Sequence, residues 1–306
     1  MKQQKNLLVL IASLIISVSA NCQKEGFVKT DDGVIHYKTF GSGAPLIIIN
    51  GGPGLDCEGF TPLAELLSDK YMTILFDQRG NGKSTLNKID TTTITMDLMA
   101  DDMEAIRKHL GINKWVVLGH SFGGWMAEHY ATRYPQSIKG MILSSSGGID
   151  MEVLSYVGAS FQMRLSQAER DSVDYWNQRI KEGDTTQFAR HKKFTFFASS
   201  YLYDKKYVPQ LADRLSGAHS PGINKLVFQD MKKIHFNCKE SLKDFKQPVL
   251  IIQGRQDVVG DEAAYKAHSV FPNSKMVFIN KSCHYAWLEQ SDKYKTEVEG
   301  FIASID

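Results

Sequence analysis

One serine in the chain stands where its surroundings would make it reactive. Ser121 lies in Gly119-His120-Ser121-Phe122-Gly123-Gly124, directly after the apolar run Trp115 to Leu118 and directly before a helix-forming segment. A strand that turns at once into a helix forces the middle residue of the bend into a strained, positive-φ conformation. Small residues are then needed two places before it and two after it. The bend lifts the Ser121 hydroxyl to the carboxyl edge of a sheet and turns the backbone N–H of Phe122 toward an oxyanion formed there.

A serine hydroxyl is a weak nucleophile at neutral pH, so a histidine must take its proton and a carboxylate must hold that histidine in the right tautomer. Asp257, in Gly254-Arg255-Gln256-Asp257, follows the run Pro248 to Gln253, where a strand-end loop would present it. His284, in Ser282-Cys283-His284-Tyr285, is the only one of nine histidines in a loop after a late strand. His120 is closer in sequence, but neighbours on a bend point apart, so it reads as packing. A second oxyanion donor is expected from Asn50-Gly51-Gly52-Pro53-Gly54, where glycines let backbone approach a substrate. The N–H of Gly52 is assigned, with Gly51 as the alternative. This chemistry needs no cofactor and no metal. Cys57, Cys238 and Cys283 have no CxxC spacing, which argues against a zinc site and leaves room for one disulfide pair in an oxidising compartment.

These residues need a scaffold that brings strand ends together. Two alternating stretches, Phe27 to Lys29 and Val34 to Phe40, flank Asp31-Asp32-Gly33 and read as an antiparallel hairpin. Continuous apolar runs follow at Pro45 to Ile49, Met72 to Phe76, Trp115 to Leu118, Met141 to Leu143, Val249 to Ile252 and Met276 to Ile279, as in strands buried on both faces. Met96 to Leu110 reads as a helix ended by Gly111, and Trp125 to Tyr134 as one stopped by Pro135. The pattern predicts an α/β fold with a mostly parallel eight-stranded sheet and helices on both faces.

Between about Gly147 and Gln247 no buried-strand run occurs, and 14 of the 101 residues are aromatic, so a helical lid is expected after the sixth strand. The core is then 21–146 with 248–306, and the lid 147–247. The lid's 16 basic and 12 acidic residues are scattered, as on a solvated surface.

The whole chain has 36 basic and 34 acidic residues with no run of about five like charges, which argues against a nucleic-acid partner. Lys2 and Lys5 precede an uncharged stretch from Asn6 to Ala20, a secretory leader too short for a stable membrane span. Export to a periplasm or medium is the expectation, with lipidation at Cys22 as the weaker alternative.

Taken together, Gly51-Gly52-Pro53-Gly54, Asp77-Gln78-Arg79-Gly80-Asn81-Gly82-Lys83-Ser84, the bend at Ser121, Asp257 and His284 resemble the α/β-hydrolase serine peptidases typified by proline iminopeptidase and the tricorn-interacting aminopeptidases. The order Ser, Asp, His is that of the α/β-hydrolase fold. Gly82-Lys83-Ser84 mimics the end of a phosphate loop, but Asp77 stands where that loop needs glycine. The resemblance implies a structural turn for the Asp-Gln-Arg-Gly segment and release of N-terminal residues, proline favoured, from short peptides through an acyl-enzyme. A carboxylesterase or C–C bond hydrolase with the same triad is the alternative, and a non-catalytic binding protein the third reading. Asn50 replaces the family's usual histidine. Family aminopeptidases hold the substrate ammonium with lid carboxylates, for which Glu152, Glu169, Glu182 and Glu240 are available.

Overall fold

The computed structural model describes residues 23–217 and 220–305. The expected leader at 1–20 and Cys22 lie outside the described residues. A sheet of nine strands organises the chain: β1 (Lys24–Thr30), β2 (Gly33–Phe40), β3 (Ala44–Ile49), β4 (Tyr71–Phe76), β5 (Thr85–Leu86), β6 (Trp115–His120), β7 (Ile138–Ser144), β8 (Val249–Gly254) and β9 (Ser274–Ile279). Its order is β1-β2-β4-β3-β6-β7-β8-β9, antiparallel across β1, β2 and β4 and parallel from there on, with β5 paired to β2. The eight expected strands are all present. The ninth, β5, has two residues, too few for any periodicity to reveal.

The hairpin differs in detail from the expectation. Gly33 pairs with Thr30, which leaves Asp31 and Asp32 as the turn. Neither has a positive φ, and Gly33 does not supply one either. Glycine is required there because a Cβ would come within 2.0 Å of the Thr85 carbonyl oxygen on β5.

Both faces of the parallel strands are covered, which is why they read as unbroken apolar runs. Ile47, Ile49, Val117, Leu143 and Ile251 face α2 (Met96–His109), α3 (Phe122–Arg133) and α10 (Asp261–Val270). Leu46, Ile48, Leu118, Ile142, Leu250 and Ile252 face α1 (Thr61–Leu67), α11 (Ala286–Glu289) and α12 (Ser291–Ile305). α3 begins three residues before the expected Trp125, because the glycines that weaken a helix signal are needed at its start. Between β7 and β8 the described residues form α4 (Val157–Arg164), α5 (Gln167–Lys181), α6 (Gln187–Phe197), α7 (Val208–Ser216), α8 (Pro221–Lys233) and α9 (Lys239–Leu242), with short 3-10 turns and no strand. None of the described helices is long and apolar enough to cross a membrane.

Candidate active site

β6 ends at His120 and α3 starts at Phe122, so Ser121 is the whole connection. It adopts φ 56° and ψ −120°, the strained bend that the glycine spacing predicts. The flanking glycines are needed for contact. A Cβ on Gly119 would lie 2.2 Å from the Gly123 carbonyl oxygen, and one on Gly123 would lie 2.1 Å from that of Ile49. As the first residue of α3, Phe122 has a backbone N–H with no acceptor inside the helix.

The loops after β8 and β9 are bound to each other. Arg255 N–H donates to Ile279 and Gln256 N–H to the Ser282 carbonyl, while Gly254 lies so close to the second loop that a Cβ would meet the Cys283 carbonyl at 1.9 Å. That contact places Asp257 against His284, where Nδ1 donates to Oδ1 at 2.9 Å with both side chains buried. Val259 N–H donates to the same oxygen at 3.1 Å, fixing the carboxylate. With Nδ1 committed, Nε2 is the ring nitrogen left to take a proton. The imidazole packs between His120 at 4.9 Å and Tyr201 at 5.1 Å. His120 is fully buried, and burial, followed by the charges of His284 and Arg214, holds it well below the ordinary histidine range. It packs against His284.

The loop after β3 closes the third side. Gly51 sits against Ser121, since a Cβ there would fall 2.6 Å from the serine Cβ, and Gly52 has φ 75°. Asn50 is buried beneath this loop, and its carbonyl accepts from Gln78 Nε2 at 3.0 Å. The helical insert grips the loop from above. Asn224 Nδ2 donates to the Pro53 carbonyl at 2.9 Å and Ser220 N–H to that of Gly54 at 2.7 Å.

Ser121, Phe122, Gly51, Gly52 and His284 open on one cavity of about 250 Å³, with walls formed largely by Trp125, Val153, Leu154, Val157, Phe161 and Phe228. The insert supplies most of those walls. None of the four glutamates available for a substrate ammonium lines it. Glu152 pairs with Lys266, Glu169 with Lys205 and Glu240 with Lys243, while Glu182 accepts from Gln178. Sequence reasoning missed Arg214, Tyr201 and Tyr285, which do line the cavity. Only the adjacency of Tyr285 to His284 was a signal for any of them.

Two other expectations concern metals and sulfur. His36, Cys57 and Asp77 lie together, with ligand atoms within 4.8 Å of one another. Asp77, however, already accepts from His36 Nδ1 at 2.8 Å and from the N–H groups of Cys57 and Lys83 at 2.9 Å each. The cluster is a hydrogen-bonded knot under the Asp-Gln-Arg-Gly turn, and it absorbs the phosphate-loop mimic through Lys83. Cys57, Cys238 and Cys283 are each buried and free, so the disulfide pair considered from sequence is not formed among the described residues.

The fold agrees with the comparisons to known proteins. The chain is 28% identical to proline iminopeptidase from Heyndrickxia coagulans over 299 residues, 92% of this chain and 99% of the relative. It is 28% identical to proline iminopeptidase from Saccharolobus solfataricus over 298 residues, 92% of this chain and 93% of the relative. A solved α/β-fold hydrolase from Bacillus anthracis superposes with a TM-score of 0.76 at 23% identity, covering 91% of this chain and 99% of that one. The family profile described as the alpha/beta hydrolase fold matches residues 44–291, so the chain belongs to the α/β-hydrolase fold family.

Proposed function

We propose that the protein is a serine hydrolase that cleaves a small, largely apolar ester or amide through an acyl-enzyme. The observation that carries this reading is the strained bend that opens Ser121 onto the same cavity as His284, whose other nitrogen is held by buried Asp257. Ser121 Oγ attacks the scissile carbonyl as His284 Nε2 takes its proton. Asp257 holds the ring and stabilises the imidazolium, and the N–H groups of Phe122 and Gly52 receive the oxyanion. The imidazolium then protonates the leaving group, and water releases the acyl group by the same steps.

The aminopeptidase reading is carried by the similarity to proline iminopeptidases. It needs a carboxylate at the substrate's amino end, and no Asp or Glu is among the cavity-lining residues. The cavity therefore favours substrates without a free ammonium. Export, expected from the leader, is part of this proposal.

Short-chain nitrophenyl esters and free-amine and N-blocked prolyl arylamides, assayed side by side with Ser121→Ala as control, test both readings. Cleavage of esters and blocked arylamides, abolished in Ser121→Ala with the fold intact, is the expected result. Cleavage of free-amine arylamides alone would establish the aminopeptidase instead, and full activity in Ser121→Ala would overturn the serine mechanism.

A further inference from the structure

Among the described residues, one full charge lines the cavity in front of Ser121, with Asp257 set behind His284. Of the 21 described residues lining the cavity, Arg214 of α7 is the sole Asp, Glu, Lys or Arg. Its guanidinium is held by neutral partners. Nη1 donates to the Tyr285 hydroxyl and Nη2 to the Gly51 carbonyl at 3.3 Å, while the planar group lies 4.4 Å from the centroid of Phe60. Nε is buried without an acceptor. Its stem packs against Gly59, where a Cβ would come within 2.3 Å of Cδ, so the head is fixed. The acid next to it in sequence, Asp213, pairs with His191 at 2.8 Å instead. Asp56, Glu58 and Asp213 line a second cavity of about 310 Å³, which shares Arg214 and Tyr285 with the first.

An arginine keeps its charge at any working pH and carries five N–H donors; these contacts use two and burial closes off Nε, which leaves one on each Nη. A cation facing an apolar cavity gains more from a counter-charge than the same cation in water would. Its donor fork also matches the two oxygens of a carboxylate. An ammonium entering the same space would meet a like charge, and no acid lines this cavity to compensate it; Asp56, which feels the Arg214 charge, lies on the second cavity, and Asp257 stands behind His284.

We infer that Arg214 makes the cavity selective for substrates that bear a carboxylate beside the scissile ester or amide, and that it disfavours substrates with a free ammonium. The inference rests on the serine-hydrolase reading above and names the substrate class for that site: monoesters and monoamides of dicarboxylic acids. The excess of 16 basic over 12 acidic residues in 147–247, the segment that roofs the cavity, acts in the same direction over a longer range.

The test uses three 4-nitrophenyl esters of similar length: the adipate monoester, its methyl-capped neutral counterpart and the cationic 6-aminohexanoate ester. Ser121→Ala serves as the blank. In the wild-type protein the anionic ester is expected to exceed the neutral one in kcat/KM by about tenfold or more, the factor a charge-assisted hydrogen bond supplies, with the cationic ester last. Arg214→Met should bring the anionic-to-neutral ratio to unity, and Arg214→Lys should retain part of it. The ratio separates recognition from support of the oxyanion loop, because a disturbed Gly51 would slow all three esters alike. A wild-type ratio of unity or below, or a ratio that survives Arg214→Met, would overturn the inference. Calorimetry on Ser121→Ala, comparing adipate monoanilide with its methyl-capped form, reads the preference without turnover. Preferential binding of the anion by a protein that hydrolyses none of the esters would sink the hydrolase reading alone.

Discussion

Glu128 sits on α3 about two turns beyond the serine, fully buried, and neither of its carboxylate oxygens has a partner among the described residues. Burial, reinforced by the negative charge of Asp150, holds its carboxyl well above the ordinary value of 4.5. Above that pH the unfolded chain has released a proton that the folded protein keeps, so stability falls with rising pH by ~1.4 kcal/mol per unit until the folded group ionises. His120 has the opposite sign: kept neutral when folded, it costs stability as pH drops through the ordinary histidine range. Glu128→Gln should therefore stabilise the protein at neutral pH, with the gain shrinking to nothing as pH falls below the ordinary carboxylate range. Urea unfolding of both proteins across pH 4 to 8 checks this, and a pH-independent difference would show that Glu128 is ionised when folded. The residues that sequence reasoning located share one property: their roles follow from local rules. Ser121 is marked by its own glycines, and Asp257 and His284 by the strands before them. Glu128 and Arg214 depend on what another segment brings to them, and no spacing along the chain encodes that.

At the scale of elements, the Asp77-to-Ser84 turn is a junction. Arg79 is buried and its Nε and Nη2 form a two-pronged pair with Asp102 of α2 at 2.8 and 2.7 Å, while Nη1 donates to the Thr93 carbonyl at 2.6 Å and reaches Asp32 at 3.3 Å. One side chain thus ties the turn after β4 to the entry of α2 and to the β1–β2 hairpin. Removing one partner of such a pair leaves a buried charge unmatched, so Arg79→Met should destabilise the protein by about 3–5 kcal/mol. Arg79→Lys should recover only a fraction, since a lysine keeps the charge but cannot form the fork. Guanidinium unfolding of the three proteins decides. A loss below about 1 kcal/mol would give the junction no more worth than a surface ion pair. The strands were legible because burial on both faces leaves long apolar runs. The turn's role was legible only through family resemblance, because its partners Asp32 and Asp102 lie 47 and 23 residues away.

Over the whole molecule, charge is divided between the segments that meet at the active site. Residues 147–247 carry 16 basic and 12 acidic groups, and the remainder of 21–306 carries 18 and 22, so a net of plus four faces a net of minus four. Several cations of the insert are matched locally, such as Lys205 by Glu169 and Arg179 by Asp184. A field that reaches the cavity therefore combines a long-range part, set by the unmatched charges, with the short-range part of Arg214. Salt separates the two, because the screening length is about 10 Å at 0.1 M and about 30 Å at 0.01 M. Added salt should remove the surface contribution and leave most of the contact between a bound carboxylate and a guanidinium in an apolar cavity. For the adipate monoester, kcat/KM should fall by about two- to fivefold as sodium chloride is raised from 0.01 to 0.3 M and then level off at a value above that of the methyl-capped ester. The methyl-capped ester should show no such dependence. A flat profile for both would mean that the insert's charges only solvate its surface, and a decline of the anionic ester to the neutral one would mean that the preference comes from the surface field and not from Arg214.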